Sequence, residues 1–596
     1  MKNILAILCL CVTMTACKKD SETTKTTKTV TTVNTDFKNM LDTYYQDGLK
    51  LNPLAATYAG DNRYNDKMPN MLNPAYKEKV LAYYNNYKNI LNTYKDQDLN
   101  ASEKLSKATL NWDIDINLAN LKFKKDLMPI DQMWSLNLSF GQLASGSSAQ
   151  PFETVQDYNH WLKRVDGYLE WLASAESNMK EGMKTGFVLP KSLIIKIIPQ
   201  MAAMAEEDVE SHLFYQPIKN LPEGFSEEDK KKIIAAYTTM VKDKVIPAYQ
   251  KMHAFVSTSY LEAGRESSGI SAIPKGKEYY NHQIKTYTTT NMTADEIHEL
   301  GLKEVARILS EMEKVKTQVG YEGDIISFFD FVRNNKELMP FTDPQQVLDN
   351  FNVIHETMKP KLEELFDVKP KTAFEVRRTE AFREASGSAE YNPGSLDGTR
   401  PGIFYTPIPD VTKYNTFSDE ALFLHEAIPG HHYQISLQQE DQDLPEFRKT
   451  LWYSAYGEGW ALYSESLGKE LGLYTDPYQY FGMLGMEMHR AIRLVVDTGI
   501  HVKGWTREQA IQYSLDNEAE SEASITSEIE RYMANPGQAL SYKIGQLKIR
   551  ELRAKSEKEL GAKFDIKQFH NQVLETGCVP LALLETKIDN WIATNK

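Results

Sequence analysis

Two short segments of this chain carry residue types that bind metal ions and activate water. Residues 425–432 read His-Glu-Ala-Ile-Pro-Gly-His-His, and residues 457–461 read Gly-Glu-Gly-Trp-Ala. Catalytic zinc is held by three protein ligands, often histidines and a carboxylate, and its fourth position is left to water. The ion acidifies that water, and a nearby carboxylate takes the proton. The segments therefore predict a zinc hydrolase site with His425 and Glu458 as ligands and Glu426 as general base.

The second histidine ligand is displaced from its usual place. In a His-Glu-x-x-His helix the histidines lie at i and i+4, but here Pro429 is at i+4, and His431 and His432 follow at i+6 and i+7. An unbroken helix would carry the i+7 residue roughly 10 Å along its axis, too far for one ion with bonds of about 2 Å. Proline and glycine interrupt helices. We therefore predict that Pro429 and Gly430 loop out and that His431 is the ligand, with His432 as the alternative.

The third ligand is expected on a later helix that begins near Glu458. Gly472 and Pro477 lie near its predicted end, as is typical of a helix stop. Glu465 follows Glu458 by seven residues, so both carboxylates share one helix face, two turns apart. One can bind metal while the other fixes the tautomer of a ligand histidine. We predict Glu458 as the ligand and Glu465 as its alternative; solvated carboxylates and buried structural histidines are the competing interpretations.

Both segments resemble motifs of known zinc peptidases. Residues 457–465, Gly-Glu-Gly-Trp-Ala-Leu-Tyr-Ser-Glu, resemble the Asn-Glu-Gly-Phe-Ala-x-Tyr-x-Glu segment of the neutral zinc aminopeptidases. In that family the first glutamate is the third zinc ligand, which implies this role for Glu458. The first segment is similar to that of dipeptidyl peptidase III, which has one residue inserted between its histidines where this chain has two.

Over most of its length the chain resembles a bacterial family known as domain of unknown function 885. The resemblance includes residues 425–432 and 457–461, called the metal segments below. It also includes several shorter motifs: Tyr279-Tyr280, residues 288–290, residues 397–402, residues 493–501, Arg531-Tyr532, residues 536–539, Gly577 and Pro580-Leu581. It implies a mainly helical, gluzincin-like metallopeptidase. The related zinc peptidases also have a tyrosine downstream of the ligands, which donates to the oxyanion of the reaction, and this implies Tyr532 or Tyr542 for that role.

Two further patterns, both on predicted helices, suggest site residues. His501 follows Asp497 by four residues on a predicted helix, so the carboxylate could orient the imidazole of a catalytic histidine; a local pair at the helix end is the alternative. Arg490 and Arg493 could bind a substrate carboxylate through their bidentate forks, or they could neutralise buried glutamates.

Residues 397–405 are rich in glycine and proline and end in Ile403-Phe404-Tyr405, which predicts a loop followed by a short strand. An edge strand beside a metal helix can pair with the backbone of a bound peptide. We therefore include Tyr405 among the predicted substrate-binding residues. A plain connecting loop is the alternative interpretation.

The first residues of the chain are typical of an export signal. Lys2 is followed by an apolar run over residues 4–12 and then by Thr-Met-Thr-Ala-Cys, which ends at Cys17. This ending resembles a bacterial lipobox, although Met14 stands where leucine is usual, and it implies lipidation of Cys17. We predict a lipoprotein signal peptide over 1–17, a disordered tether over 18–35, and a protein that is exported and lipid-anchored in the bacterial cell envelope, on the periplasmic face or the cell surface.

Composition excludes several classes of protein. The net charge is −14, from 68 basic and 82 acidic side chains, with no dominant basic patch, so nucleic acid is not an expected partner. Of the four cysteines, only Cys578 lies beyond the predicted signal, so no disulfide framework is available and a large core must stabilise the fold. No further apolar stretch is long enough to span a bilayer. The sequence gives no indication of an oligomeric state.

Helical periodicity dominates the rest of the chain. Residues 36–45 and 76–94 have apolar and aromatic residues three and four apart, and Thr293 with Glu296 and Thr506 with Gln509 form capping boxes. We predict a mainly α protein in two lobes, residues 36–275 and a catalytic lobe of residues 276–596, with a small β element beside the metal helix.

The combined prediction is a zinc-dependent peptidase that hydrolyses short peptides. Two alternatives stay open: a zinc hydrolase of a non-peptide amide or ester, and a non-catalytic surface lipoprotein that binds peptides.

Overall fold

The computed structural model of the protein describes residues 33–380, 384, 387–396, 398 and 400–596. The predicted signal peptide with Cys17, most of the predicted tether, Asp397 and Thr399 lie outside these residues. No helix in the described part of the chain has both the length and the apolar character to cross a bilayer. The predicted fold class, mainly α with a small sheet, is confirmed.

The first part of the chain is helical up to residue 263. Its helices are α1 (Thr35–Leu51), α2 (Pro53–Tyr58), α3 (Pro74–Leu91), α4 (Ala101–Asn120), α5 (Leu136–Ala144), α6 (Val155–Thr185), α7 (Lys191–Ala203), α8 (Gln216–Lys219), α9 (Glu227–Met240), α10 (Ile246–Phe255) and α11 (Leu261–Ala263). Two π-helical turns, Val241–Val245 and Val256–Tyr260, join α9, α10 and α11 into one continuous helix. Stacked aromatic rings fill the core between α5 and α6, as between Phe140 and Tyr168, whose ring centroids are 4.2 Å apart.

The second part carries the metal segments. Before the sheet come α12 (Gly276–Thr288), α13 (Ala294–Gln318), α14 (Ile325–Asn334) and α15 (Pro344–Leu365). After it come α16 (Asp419–Glu426), α17 (His431–Glu440), α18 (Glu446–Lys449), α19 (Ser454–Glu465), α20 (Pro477–His501), α21 (Arg507–Leu515), α22 (Glu522–Ala534), α23 (Ser541–Leu560), α24 (Ile566–Leu574) and α25 (Leu581–Asn595). Both predicted capping boxes, at the starts of α13 and α21, are confirmed.

A three-stranded sheet lies between α15 and α16. Its strands are β1 (Phe374–Arg378), β2 (Glu390–Asn392) and β3 (Gly402–Thr406), in the order β1-β3-β2. β1 runs parallel to β3, with Val376 opposite Phe404, and β2 runs antiparallel to it, with Tyr391 opposite Phe404. The central position of β3 explains why its residues are mostly buried and why β2 forms one edge of the sheet.

Two main hydrophobic cores stabilise the protein. One is built from residues 54–260, and the other mainly from residues 270–592, with Leu127, Phe187 and Leu193 packed into it from the first part of the chain. These three residues join the two parts through apolar contacts. The predicted boundary at residues 275 and 276 stays a prediction.

The helix that carries Glu458 is placed by a close helix crossing. α19 packs along α23 where Gly459 faces Gly545, and a Cβ atom added at Gly545 would lie 1.8 Å from the carbonyl oxygen of Ala455. Only glycine permits this approach of the two backbones. The crossing therefore fixes the position of α19, and with it that of Glu458.

A buried ionic cluster ties α13, α20 and α23 together. Lys543 is fully buried, and its Nζ lies 2.6 Å from Glu487 and 3.0 Å from Glu304. Arg307 lies 2.8 Å from Glu487 and 2.9 Å from Glu304. Four charges of both signs thus neutralise one another in the core, as buried charges require.

Replacing Lys543 by methionine is expected to lower the free energy of unfolding by about 3–5 kcal/mol, because Glu304 and Glu487 would keep their charges without the ammonium group. Denaturant unfolding measures the change. The control is Lys548→Met on the same helix, whose partly exposed pairs with Glu551 and Glu585 should contribute about 1 kcal/mol or less. Equal losses in the two variants would contradict the account of the cluster.

Candidate metal centre

The predicted break between the histidines is present. α16 ends at Glu426, residues 427–430 leave helical geometry, and α17 begins at His431. The Ile428–Pro429 peptide bond is cis. A Cβ atom at Gly430 would lie 2.0 Å from the carbonyl oxygen of His425, so no other residue fits there. Trp460 on α19 donates a hydrogen bond from Nε1 to the carbonyl oxygen of Pro429 at 2.8 Å. This bond holds the break against α19, the helix that also carries Glu458.

The break brings His425, His431 and Glu458 together. Glu458 Oε2 lies 3.7 Å from His425 Nε2 and 3.4 Å from His431 Nε2. One ligand atom from each of the three side chains lies within 4.8 Å of the others. The two imidazole rings are nearly perpendicular, with centroids 4.9 Å apart.

These separations fit a shared metal ion better than direct hydrogen bonds. Ligand atoms at about 2.0–2.2 Å from a tetrahedral zinc ion lie about 3.3–3.6 Å from one another. The observed distances of 3.4 and 3.7 Å match this and are longer than ordinary hydrogen bonds, which peak at about 2.9–3.0 Å. Two imidazole nitrogens and one carboxylate are also a donor set that zinc prefers. The residues present therefore fit a zinc ion.

Glu465 supports the first histidine. Its Oε1 accepts a hydrogen bond from His425 Nδ1 at 2.6 Å, and both side chains are buried. Because the Nδ1 proton is held there, the lone pair of Nε2 is directed towards Glu458 and His431. The carboxylate two turns after Glu458 thus lies where the helix spacing predicted an orienting group.

The carboxylates give the site a strong preference for positive charge. Burial alone would lower the pKa of His425, but Glu458 and Glu465 outweigh it and raise that pKa to about 9. Burial would raise the pKa of Glu458, yet His425 and His431 hold it below its usual range. These carboxylates therefore favour a positive charge on or beside the His425 imidazole.

A cavity of about 680 Å³ opens onto the three side chains. Glu426, the residue after His425, lines it, and burial raises the pKa of its carboxyl. The wall also includes Trp452, Tyr391 on the edge strand β2, and Trp134 from the first part of the chain. The backbone carbonyl of Glu530 accepts a hydrogen bond from Gln132 at 3.0 Å, which holds the segment of Trp134 against α22.

His432, the alternative ligand, points elsewhere. Its Nδ1 accepts a hydrogen bond from the Tyr391 hydroxyl at 2.9 Å, and its ring packs against Phe374 of β1. Burial lowers its pKa to about 4. His432 therefore connects α17 to the sheet, and the group around Glu458 contains His431.

Basic residues of α20 and α22 form the far wall of the cavity. Arg493 and Arg531 both pair with Glu528, at 3.0 and 3.1 Å, and His489 pairs with Glu518 at 2.5 Å. Arg490 differs, because it has no carboxylate partner among the described residues and donates only to the carbonyl oxygen of Met486, at 3.4 Å. Its buried Nε has no hydrogen-bond partner in the part of the chain that the structure describes. Of the two predicted arginines, Arg490 is the one left available to a ligand.

The structure separates the two candidate tyrosines. Tyr532 is buried, and its hydroxyl donates to Glu528 at 2.7 Å and accepts from Arg493 at 3.0 Å. Tyr532 is absent from the cavity wall, whereas Tyr542 forms part of it. The Arg493 guanidinium lies 4.5 Å from the centre of the Tyr542 ring, and no described residue accepts from or donates to the Tyr542 hydroxyl. The geometry favours Tyr542 as a donor to a ligand.

The predicted role of His501 is wrong. Its Nδ1 accepts from the backbone N–H of Ile270 at 3.0 Å, and its Nε2 donates to the carbonyl oxygen of Tyr532 at 3.0 Å. Asp497 does not orient it but accepts from Tyr280 at 2.5 Å. Burial lowers the pKa of His501 to about 3. With both nitrogens occupied and the ring fully buried, His501 is a structural residue.

The predicted edge strand is also assigned to the wrong segment. Tyr405 belongs to β3, which pairs with β1 on one side and β2 on the other, so its backbone cannot receive a peptide. The cavity wall includes residues 388–391, at the start of β2, and among the described residues it does not include Tyr405. The strand at the site is therefore β2.

Several cavity residues were missed by the sequence analysis. They are Trp134, Tyr391, Trp452, His489, Glu520, Glu528 and Arg531. His489 and Arg493 are four residues apart, as are Glu528 and Tyr532, which indicates a shared helix face and could have pointed to two of them. Trp134 and Tyr391 follow no pattern of this kind, because only the fold brings their segments to the site.

Comparisons with known proteins bear on the fold and the family. A structure of a predicted lipoprotein from Colwellia psychrerythraea is 28% identical, with a TM-score of 0.85 over 94% of this chain and 99% of that chain. A predicted lipoprotein of unknown function from Shewanella oneidensis is 19% identical, with a TM-score of 0.74 over 92% of this chain and 99% of that one, and shows the same fold. None of the curated proteins matches the chain.

The profile of a bacterial protein family of unknown function, DUF885, matches residues 53–588. This range includes both metal segments, the sheet and the cavity wall. Because the match spans most of the chain, the protein belongs to the DUF885 family.

Proposed function

We propose that this protein is a zinc-dependent peptidase that cleaves short peptides in the cavity beside His425, His431 and Glu458. The observation that carries the proposal is the convergence of these three ligand atoms within 4.8 Å in a cavity that also contains Glu426. A zinc ion held there would polarise the scissile carbonyl and acidify the attacking water. A non-catalytic peptide-binding protein would have no need for a carboxylate next to such a ligand group.

The chain's own residues have distinct roles in this proposal. Glu426 takes a proton from the attacking water and delivers it to the leaving amine. The Tyr542 hydroxyl donates a hydrogen bond to the oxyanion of the tetrahedral intermediate. Glu465 keeps the proton of His425 on Nδ1, at 2.6 Å, so that Nε2 stays available as a ligand. Trp134 and Trp452 line the cavity and cover apolar parts of the substrate.

The edge strand β2 offers a way to hold a peptide backbone. Among the described residues β2 pairs only with β3, and residues 388–391 line the cavity. A peptide that pairs with this edge gains main-chain hydrogen bonds with little dependence on its side chains. This mode suits a peptidase with broad selectivity for short peptides.

Arg490 is proposed to bind the C-terminal carboxylate of the substrate. It lines the same cavity as Glu426 and, unlike Arg493 and Arg531, has no carboxylate partner in the described part of the protein. A guanidinium fork matches a carboxylate in shape and charge. The enzyme would therefore cleave near the C-terminal end of peptides, where Arg490 can reach the terminal carboxylate.

Replacing Arg490 by methionine is expected to lower kcat/KM for peptides with a free C-terminus by about 10- to 100-fold, the effect of losing a hydrogen bond to a charged group. The same peptides with an amidated C-terminus should be poor substrates for the natural enzyme and should respond little to the substitution. Arg63→Met, at an exposed pair with Asp61, is the control. Equal losses on free and amidated peptides would contradict the role of Arg490.

Replacing Glu465 by glutamine is expected to weaken zinc binding by about 10- to 100-fold, since the partner that orients His425 would lose its charge. Competition with a chromogenic chelator measures the affinity. Glu470→Gln, at a surface pair with Arg553, is the matched control. An unchanged zinc affinity in Glu465→Gln would show that this hydrogen bond does not support the site.

The location of the protein is part of the proposal. Two solved relatives are predicted lipoproteins, and Cys17 lies in a lipobox-like sequence of this chain. We propose that Cys17 carries the lipid that anchors the protein in the bacterial envelope. A Cys17→Ser variant should then move from the membrane fraction to the soluble fraction of the envelope.

A mixed peptide library, read by mass spectrometry, tests the activity itself. The purified chain loaded with zinc should release products with one cleavage near the C-terminus, and a chelator should abolish them. Products from esters or non-peptide amides, with none from peptides, would favour a different zinc hydrolase. No turnover of any substrate by the zinc-loaded protein would reject the enzyme.

A further inference from the structure

A second cavity, of about 340 Å³, has no described lining residue in common with the cavity beside His425, His431 and Glu458. It lies between the first and second parts of the chain, and Met533 and Ala534 at the C-terminal end of α22 form part of its wall. Much of its wall is apolar and includes Phe123, Met128, Phe187, Ile270, Ile273 and Met533. Because apolar pockets of about 300–1,000 Å³ are typical of small-molecule sites, the size suits a small ligand.

The polar part of this cavity is strongly cationic. Its described lining residues include Arg265, Lys275 and three lysines of one segment, Lys122, Lys124 and Lys125, against a single carboxylate, Asp131. Asp131 is already used in its own turn, where it accepts from the backbone N–H groups of Met133 and Trp134 at 2.7 and 2.6 Å. None of the five cations forms an ion pair with a described residue. In a chain of net charge −14, this local excess of positive charge favours an anionic ligand.

Arg265 is half-buried, whereas the four lysines of the group are exposed. Its Nε donates to the carbonyl oxygen of Val188 at 3.0 Å and its Nη1 to that of Gly269 at 2.8 Å, so the guanidinium is fixed by backbone acceptors. Burial lowers its pKa to about 10. Within the described residues Nη2 donates to no acceptor. A fixed guanidinium without a counter-charge is a ready partner for an anion.

Tyr279 supplies a second unpaired donor. Its side chain lines the cavity and only 7% of the residue is exposed, yet its hydroxyl bonds to no described residue. The neighbouring Tyr280 differs, because its hydroxyl donates to Asp497 at 2.5 Å. Phe123 packs edge-on against the Tyr279 ring, with centroids 5.3 Å apart. Because the hydroxyl group can donate and accept hydrogen bonds and Tyr279 lines the cavity, it is suited to a ligand.

We propose that this cavity binds a small amphipathic carboxylate, an anion with a single medium-length alkyl chain. The alkyl chain fills the apolar wall, the carboxylate meets Arg265 and the lysines, and the Tyr279 hydroxyl donates to it. Burying the alkyl surface against the apolar wall favours binding. Neither part of the ligand alone uses both features of the cavity.

Titration calorimetry of the full chain with three probes tests the proposal. Octanoate has both parts of the ligand, 1-octanol has only the alkyl chain, and acetate has only the carboxylate. Octanoate should bind with one molecule per chain and at least tenfold more tightly than either other probe. Failure of octanoate to bind, or equal binding of 1-octanol, would overturn the proposal.

Two variants locate the binding. The double variant Lys124→Glu with Lys125→Glu changes only exposed side chains and should weaken octanoate binding at least tenfold, whereas Lys231→Glu on α9 should not. Tyr279→Phe should also weaken it, without altering the binding of 1-octanol. Octanoate binding that is unchanged in both the double variant and Tyr279→Phe would place it elsewhere and reject this site.

Discussion

Replacing Glu426 by glutamine is expected to lower kcat by about 10²- to 10⁴-fold, the usual contribution of a general base. Glutamine has the shape of glutamate but cannot take a proton at neutral pH. The three converging ligand atoms belong to His425, His431 and Glu458 and not to Glu426. The variant should therefore bind zinc as the natural protein does. Peptide turnover and zinc content are measured on the same preparation.

Peptide turnover and zinc content together distinguish a catalytic role of Glu426 from a structural one. Loss of turnover with zinc retained separates a catalytic role from damage to the site. Glu446→Gln, which alters a surface pair with Lys449, should keep full activity and serves as the control. A Glu426→Gln enzyme with undiminished kcat would reject the general-base role, and loss of zinc together with activity would indicate a structural role.

Replacing Glu458 by glutamine is expected to abolish zinc binding and peptidase activity together. Its carboxylate lies 3.4 Å from His431 Nε2 and 3.7 Å from His425 Nε2, and it is the only negatively charged group among the three proposed ligands. A neutral amide is a much poorer zinc ligand than a carboxylate. Activity should fall below detection at zinc concentrations that saturate the natural protein.

Thermal unfolding provides a second readout that does not depend on turnover. A ligand that binds only the folded state stabilises it, by about 4 kcal/mol at a concentration of 1,000 Kd. Zinc should therefore raise the Tm of the natural protein and leave that of Glu458→Gln unchanged. His431→Ala should behave like Glu458→Gln, whereas His432→Ala should keep the zinc-dependent rise. A full rise in Tm in Glu458→Gln would show that zinc binds elsewhere.

The local part of the site could be predicted from the sequence because its causes are local. Two extra residues between the histidines, one of them proline, require a helix break, and this favoured His431 over His432. The spacing of Glu458 and Glu465 follows from the helix repeat. In the structure the Glu465 carboxylate accepts a hydrogen bond from His425 Nδ1, as that spacing allowed.

The predictions for His501, Tyr405 and Tyr532 were not met, because the positions of these residues depend on contacts between distant segments. Asp497 and His501 have the spacing of a helical pair, but Tyr280 and the backbone of Ile270 bind them instead. The strand that carries Tyr405 could be predicted, but its central position depends on β1 and β2. Tyr532 lies on a helix near the cavity, yet Glu528 and Arg493 occupy its hydroxyl. Periodicity shows which face a residue shares and does not show what packs against that face.

The most direct test of the account is a crystal structure of the zinc-loaded protein with anomalous data collected at the zinc absorption edge. We predict one strong anomalous peak per chain, bonded to His425 Nε2, His431 Nε2 and a Glu458 oxygen at about 2.0–2.2 Å. A zinc peak bound by other residues, with these three side chains left without metal, would contradict the central claim.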